Sequence, residues 1–524
     1  MRNLYIFLFL LVSGHALRAQ TSLSFYHLGD ATFQNSSLNP AYMPEGRVFI
    51  GLPVISGVHI QANNKFSYND AIRKEGTNNV LSIGGIISDL QTNNMLSANA
   101  NISVFHLGYR LKQGPTVSLF ANERIESDFL YPRQFMEFVW RGNGSTLGDV
   151  VELGGTGVNV SHFREIGVGV AHRVSNQLRV GARLKMYQGF LNISTPRNMV
   201  VDLEVNPQTY AWKMKTQNAM LRSSGTNIYG GDGDLGKHLV SPGNSGFGLD
   251  VGFEYDVNKY LSFAASIVDV GFISWKTDVE NSQFNDTTFN YTGVNIKNIE
   301  NLQQTLQDSL FDKFSTNKNT EAYKTWVPTK AYGSMIWKYT DNTHFIGTVG
   351  ARYIQGQMKM LYGGGVRQKM GPLTASLNAM KLPQQFFNVG AALAVRGGPV
   401  QYYVAADQML NFSVPDMKAF DIRMGLNIII GRSSSGKGGG VYSSSSTFDP
   451  SRLKDSDAKG ISTSSFLGTK VKTKGREGIY SVIDKQSKRD VPASARPPKD
   501  RTKKRAARTS KKVKQKYPSQ RRRY

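Results

Sequence analysis

Apolar and small or acidic residues alternate without a break along residues 247–257. Phe247, Leu249, Val251, Phe253, Tyr255 and Val257 fall on one parity, with Gly248, Asp250, Gly252, Glu254 and Asp256 between them. A period of two predicts a strand with one apolar and one polar face. The chain then turns at residues 256–259 and returns through Leu261, Phe263, Ala265 and Ile267, after which the apolar positions shift to Val268, Val270 and Phe272. A change of phase without a turn predicts a β-bulge near Ile267 or the point where the strand leaves the bilayer, with Asp269 and Trp275 marking the outer rim.

The same alternation recurs through most of residues 47–430. Ile166, Val168, Val170 and Val174 answer Leu178, Val180, Ala182, Leu184 and Met186 across a turn at 175–177. Phe387, Val389, Ala391, Leu393 and Val395 form another such set, and Ile422, Met424, Leu426, Ile428 and Ile430 a further one. Tight turns stand at 113–114, 175–177, 206–209, 256–259, 339–343, 370–371 and 397–398, three of them in a Lys/Arg-x-Gly-Pro setting. Between them lie long polar connections near 62–99, 128–162, 219–244 and 274–328. Short turns on one rim and long loops on the other predict an all-β fold, a transmembrane antiparallel barrel whose strands need about 9–11 residues to cross. The expected count is about sixteen strands, or about fourteen if the acidic hairpin at 199–215 belongs to an external loop. Tyr255, Tyr260, Trp337, Tyr339 and Phe345 beside the turns fit an interfacial girdle. Two loops carry helical stripes, Ile83-Ile86-Ile87-Leu90 and Leu302-Leu306-Leu310-Phe314, expected to cap or plug the rim.

Charge refines the picture in two places. Arg179, Arg183 and Lys185 share one face of a strand, and Asp250 and Glu254 share the polar face of another. A run of bases on one strand face predicts a wet, lumen-facing surface. The formal net charge of +25 is concentrated at the end: residues 431–524 hold 26 Lys and Arg against 7 Asp and Glu, a net of +19. That segment opens Ser- and Gly-rich and closes on the polycation Arg501, Lys503, Lys504, Arg505, Arg508, Lys511, Lys512, Lys514, Lys516, Arg521, Arg522 and Arg523. It is expected to be a disordered linker and tail. Residues 1–19 read as a secretory signal peptide, with Arg2, an apolar run from Leu4 to Val12 and Ala19 at the cleavage point. Residues 20–46 then form an N-terminal periplasmic or plug segment, and 47–430 the barrel.

Four phrases carry a resemblance: Ser37-Leu38-Asn39-Pro40-Ala41, Phe49-Ile50-Gly51-Leu52-Pro53, the run from Gly246 to Gly252, and that from Asp269 to Trp275. Together they resemble an uncharacterised family of Bacteroidota outer-membrane barrels, catalogued as a domain of unknown function. More distantly the chain is similar to the long-chain fatty acid transporter class of barrels. Its Asn39-Pro40-Ala41 start is similar to that of barrels tied to type IX secretion and gliding. The resemblance implies an outer-membrane barrel and no assigned reaction.

Chemistry in the chain is sparse. The eight histidines fall in no metal-ligand spacing, and no cofactor is implied. Residues 231–236 match a dinucleotide fingerprint only as letters, since no strand-to-helix context surrounds them, and their aspartates make only a weak calcium pattern. Ser103, Ser161 and Ser175 lie near His106, His162 and His172 without a nucleophile elbow, so no catalytic residue is assigned and the protein is expected not to be an enzyme. Both termini are expected in the periplasm, where the tail would meet anionic lipid headgroups, cell-wall carboxylates or an acidic protein rather than nucleic acid. Two functions fit: a channel-like transporter of small or hydrophobic ligands, with an open lumen or a lateral opening, or a structural or assembly partner of an envelope complex, with a plugged lumen. A soluble periplasmic β-protein is a third, weaker reading.

Overall fold

The computed structural model describes residues 22–431, apart from positions 77, 113 and 142 and segments 230–233, 241–242, 285–287, 292–315, 382–386 and 410–412. The signal peptide, the tail polycation and the second helical stripe lie outside the described residues. Within them, fourteen antiparallel strand rows close into a barrel. They are β1 (Val48–Gly51 continued by Val58–Asn63), β2 (Asn93–Arg110), β3 (Thr116–Pro132), β4 (Gly157–Arg173), β5 (Leu178–Ser194), β6 (Asn244–Asp256) and β7 (Leu261–Trp275). After them come β8 (Thr329–Lys338), β9 (Thr343–Ile354), β10 (Gln357–Met370), β11 (Leu373–Lys381), β12 (Asn388–Gly397), β13 (Val400–Ala406) and β14 (Ala419–Ile430). Each row pairs with its neighbours in chain order, and β14 returns to β1 through Val48 opposite Ile430 and Val58 opposite Met424. Closure leaves no unpaired edge, the condition for a sheet in lipid.

The outer surface carries the apolar parity. Val168, Val170, Leu184, Val251, Phe263 and Leu393 are all exposed, which only a lipid surround makes favourable. Tyr255, Tyr260, Trp337, Tyr339 and Phe345 stand exposed at the tight-turn end of β6 to β9, and Phe247, Trp326 and Tyr353 stand exposed toward the other. Trp326 and Trp337 lie along one row, and the rise between them in a tilted strand is about 25 Å, the height of a membrane band.

The structure decides between some expectations and corrects others. The hairpin at 199–215 joins Val150–Glu152 and Thr288–Tyr291 in a separate four-stranded sheet, so the lower count of fourteen holds. Strands β2 to β5 are 17 or 18 residues long and project past the bilayer, taking in ends that the polarity assigns to loops. The phase change is a bulge: Leu249 faces Val270 but Val251 faces Ile267, which leaves Val268 and Asp269 against Asp250. Asp269 sits there at a φ of 64°. It marks no rim, for its carboxylate is buried in the lumen, and Trp275 is buried too, against Phe163, Tyr187 and Tyr323. The first helical stripe forms the helix Ile83–Asp89, and Leu90 after it packs on Tyr131 and Met136 of the protein's own rim.

Candidate functional site

The lumen is filled by the chain's own beginning. Helix α1 (Leu23–His27) and the turns Gly29–Ala31 and Phe33–Ser37 lie inside the barrel, and most of their side chains are buried. A buried backbone needs partners, and strands around the wall supply them. Asp407 accepts the Leu23 and Ser24 amides at 2.6 and 2.8 Å, and Ser376 donates to the Ser24 carbonyl at 2.9 Å. Ser266 donates to the Leu38 carbonyl at 2.6 Å, Gln401 to that of Ala31 at 2.5 Å, and Arg110 to that of Pro44 at 2.7 Å. Tyr26 stacks on Tyr332 at 4.8 Å, and Phe25 meets Tyr403 at 5.1 Å. His27 is held between Asn378 and Thr348, the latter at 2.8 Å, and burial lowers its pKa to about 3. Burial raises the pKa of Asp30, against the pull of the Arg179 guanidinium.

Asn39, Pro40 and Ala41 form a further anchor. Asn39 Oδ1 accepts the Ala41 amide at 3.0 Å, and its Nδ2 donates to the Phe253 carbonyl at 3.3 Å. Pro40 lies against Gly181 of β5, and Asn39 against Gly252 of β6. A side chain at either glycine would overlap them. Bare backbone in two neighbouring strands is what admits this turn.

The five charged residues singled out by alternation all point inward and pair. Arg179 meets Glu254 at 2.5 Å and Asp30 at 3.3 Å. Lys185 meets Asp250 at 2.8 Å, and Arg183 lies 3.4 Å from the same carboxylate. The expected wet face is instead buried and neutralised, because carboxylates on adjoining strands stand opposite the bases. Sequence reasoning missed the rest of this lattice. Asp269 takes Arg124 at 2.8 and 3.0 Å, Lys185 at 2.6 Å and Lys330 at 3.1 Å, while its amide donates to Asp250 at 2.7 Å. Arg124 also meets Glu165 at 2.9 Å and pairs with Glu126, and Arg352 meets Asp128 at 3.0 Å. Near the tight turns Lys338 meets Asp256 at 2.5 Å. The alternation Arg124, Glu126, Asp128 was a visible signal, obscured because residues from 128 on read as loop.

The wall has one further irregularity. Between the two halves of β1, residues 52–57 bulge out of regular pairing, keeping backbone bonds from the Val54 amide to Ser103 at 2.8 Å, from the Ser103 amide to Gly57 at 2.7 Å and from the Leu426 amide to Ile55 at 2.9 Å, and Val54 and Ile55 project outward at 56 and 59 % exposure. Ser56 stays inside, where its carbonyl accepts from Tyr403 at 3.0 Å and from Gln34 of the plug at 2.8 Å. At the tight-turn rim a cavity of about 650 Å³ opens between plug and wall, lined by Asp30, Glu45, Arg367, Lys369 and Arg396 among others.

Of the serine–histidine neighbours, Ser103 and His106 are both buried on the lumen side, whereas Ser161 and His162 face opposite ways. Ser161 points into the lumen, while His162 faces out and bonds Tyr229 at 2.6 Å, with Glu123 at 3.3 Å. Among the described residues no cluster of His, Cys, Asp or Glu has metal-ligating geometry.

A family model described as a family of unknown function (DUF5723) matches residues 40–407. No curated protein matches the chain. Among solved structures, the Ralstonia pickettii toluene transporter TbuX aligns at 8 % identity and a TM-score of 0.36, covering 76 % of this chain and 94 % of its own. A Pseudomonas aeruginosa FadL homologue aligns at 7 % identity and a TM-score of 0.37, covering 79 and 97 %. The translocator domain of the Neisseria meningitidis autotransporter NalP gives 7 % and 0.28, covering 73 and 88 %.

Proposed function

The chain belongs to the family of unknown function DUF5723, and from the geometry of its lumen we propose that it is a non-enzymatic outer-membrane barrel serving as a channel-like transporter of small hydrophobic ligands, gated by residues 22–46. The interruption of β1 carries this reading. Residues 52–57 bulge from regular pairing at membrane depth, tied to the neighbouring strands by the Val54 amide to Ser103, the Ser103 amide to Gly57 and the Leu426 amide to Ile55; apolar side chains face the lipid there, and the plug stands directly behind them. A polar backbone outside a ladder is tolerated at that depth only where it faces protein or a cavity, which makes 52–57 a natural lateral doorway. Long loops then face outward, and the tight turns and both chain ends face the periplasm.

The test replaces residues 52–57 with two residues that continue the strand. Cells carrying the native protein in the outer membrane should take up the apolar dye N-phenylnaphthylamine faster than cells carrying the continuous strand. Equal uptake at equal surface abundance would refute the doorway.

The filled lumen favours a second reading, a structural or assembly partner of an envelope complex docked through the basic tail onto cell wall, lipid headgroups or an acidic protein. Under it, dye uptake is indifferent to the doorway, and a gentle-detergent pulldown loses its partner when the chain ends at residue 431.

A further inference from the structure

Directly inside the β1 interruption lies a cavity of about 40 Å³ that the ion-pair lattice leaves out. Gly57 and Val58 form its outer side, and Ser103, His106, Arg183 and Arg423 stand around it with Gln34, Ser37, His59, Asn101, Asn122 and Tyr403. Two guanidinium groups line it, and no carboxylate does. Ser103 Oγ, His106 Nε2, Arg183 Nε and Nη1, and Arg423 Nε are buried atoms with no hydrogen-bond partner among the described residues. Arg183, 3 % exposed, lies 3.4 Å from Asp250 Oδ2 without hydrogen-bond geometry, and that carboxylate is closer to Lys185 at 2.8 Å.

Both guanidinium groups are fixed by their faces, which leaves their edges to act. Arg183 lies 3.6 Å over the Phe120 ring, and Arg423 4.6 Å over Phe25 of the plug. Arg423 Nη2 also donates to His59 Nδ1 at 3.0 Å, and His59 Nε2 lies 3.2 Å from Asp421. A buried donor left unpaired forfeits its solvation without recompense. Arginine can only donate, so a group that only accepts answers the site better than one that also donates. An adjoining cavity of about 60 Å³ shares Arg183 and Arg423, and there the carboxylates of Glu126, Glu165 and Asp269 already answer the further cations Arg124, Lys185, Lys330 and Arg352.

We propose that this cavity is a binding site for one small monovalent anion, a halide or the carboxylate group of an organic acid. It is held by Arg183 of β5 and Arg423 of β14, with Ser103 and His106 of β2 completing the cradle. Bound there, the anion ties the plug-facing side of the doorway together across three strands. The site does not depend on what the barrel transports.

Bromide and acetate are the probes. Full-length protein in detergent is titrated with each at constant ionic strength against gluconate, an anion too large for the cavity, and the thermal unfolding midpoint is followed. A saturable rise is expected, with bromide located at the site by anomalous scattering. Saturation by bromide alone identifies a halide site, and tighter saturation by acetate identifies a carboxylate site. Arg183→Gln and Arg423→Gln should each weaken binding at least tenfold, while Lys259→Gln, on an exposed turn, leaves it unchanged. Should the arginine variants fail to fold, Ser103→Ala retains both charges and should weaken binding several-fold. A midpoint indifferent to both anions, a rise that Ser103→Ala and Lys259→Gln share equally with the native chain, or density for water alone would overturn the proposal.

Discussion

His27 shows how one residue of the plug is coupled to the wall. Its ring bridges Asn378 and Thr348 on two strands, and burial holds its pKa near 3. A free histidine titrates near 6.5. Because the folded value is depressed, the unfolded or released state takes up the proton first. Stability is therefore complete above about pH 6.5 and is lost as pH falls toward 3, at about 1.4 kcal/mol per pH unit for this group. Acidification across that window should loosen the plug, measured as the reactivity of Ala41→Cys toward a maleimide in a chain that otherwise has no cysteine. His27→Gln, which keeps hydrogen-bonding capacity and cannot titrate, should flatten the dependence. An identical pH profile in that variant would remove His27 from the account. The inward set Arg179, Arg183, Lys185, Asp250 and Glu254 was legible from period two alone. That Asn39, Pro40 and Ala41 rest on Gly181 and Gly252 was not, because a glycine in a strand does not announce what lies over it.

At the scale of elements, the bulge in β7 determines how the lattice closes. Without the extra residue, strict alternation could not turn both Val268 and Asp269 inward, and three cations would lack their shared acceptor. Removing one partner from a buried ionic cluster typically costs about 3–5 kcal/mol. Asp269→Asn should therefore lower the thermal unfolding midpoint sharply, whereas Lys318→Gln, in an exposed pair with Glu280, should move it little. Equal shifts would mean that the buried lattice is no more stabilising than surface charge. The phase change at Ile267 was visible in the sequence. The side on which Asp269 would lie was hidden, since period two does not assign a face to a residue inside a bulge. The interruption of β1 was hidden for a related reason: residues 47–59 are apolar enough to read as one strand, and only Pro53 hints at the break.

For the whole molecule, closure followed from the pattern of short turns and long loops, and the strand count depended on where one hairpin belonged. The sequence left residues 20–46 as either a periplasmic or a plug segment and did not choose between them. Ser22, Ser24, Thr32, Asn35 and Ser36 are polar residues that would suit an exposed periplasmic segment, yet all are buried. The structure satisfies two of them from within the plug itself: Asn35 donates to the carbonyls of Phe25, Tyr26 and Gly29, and Ser36 to that of Phe33. A segment that folds on itself and is gripped by the wall reads as polar in sequence and packs as core.

The closed lumen is the claim on which the transport and gating account rests, and planar-bilayer conductance tests it most directly. The full chain should remain closed for most of the record, while a chain lacking residues 22–46 should give large, steady, ohmic steps. Open steps from the full chain that match those of the deletion would contradict it.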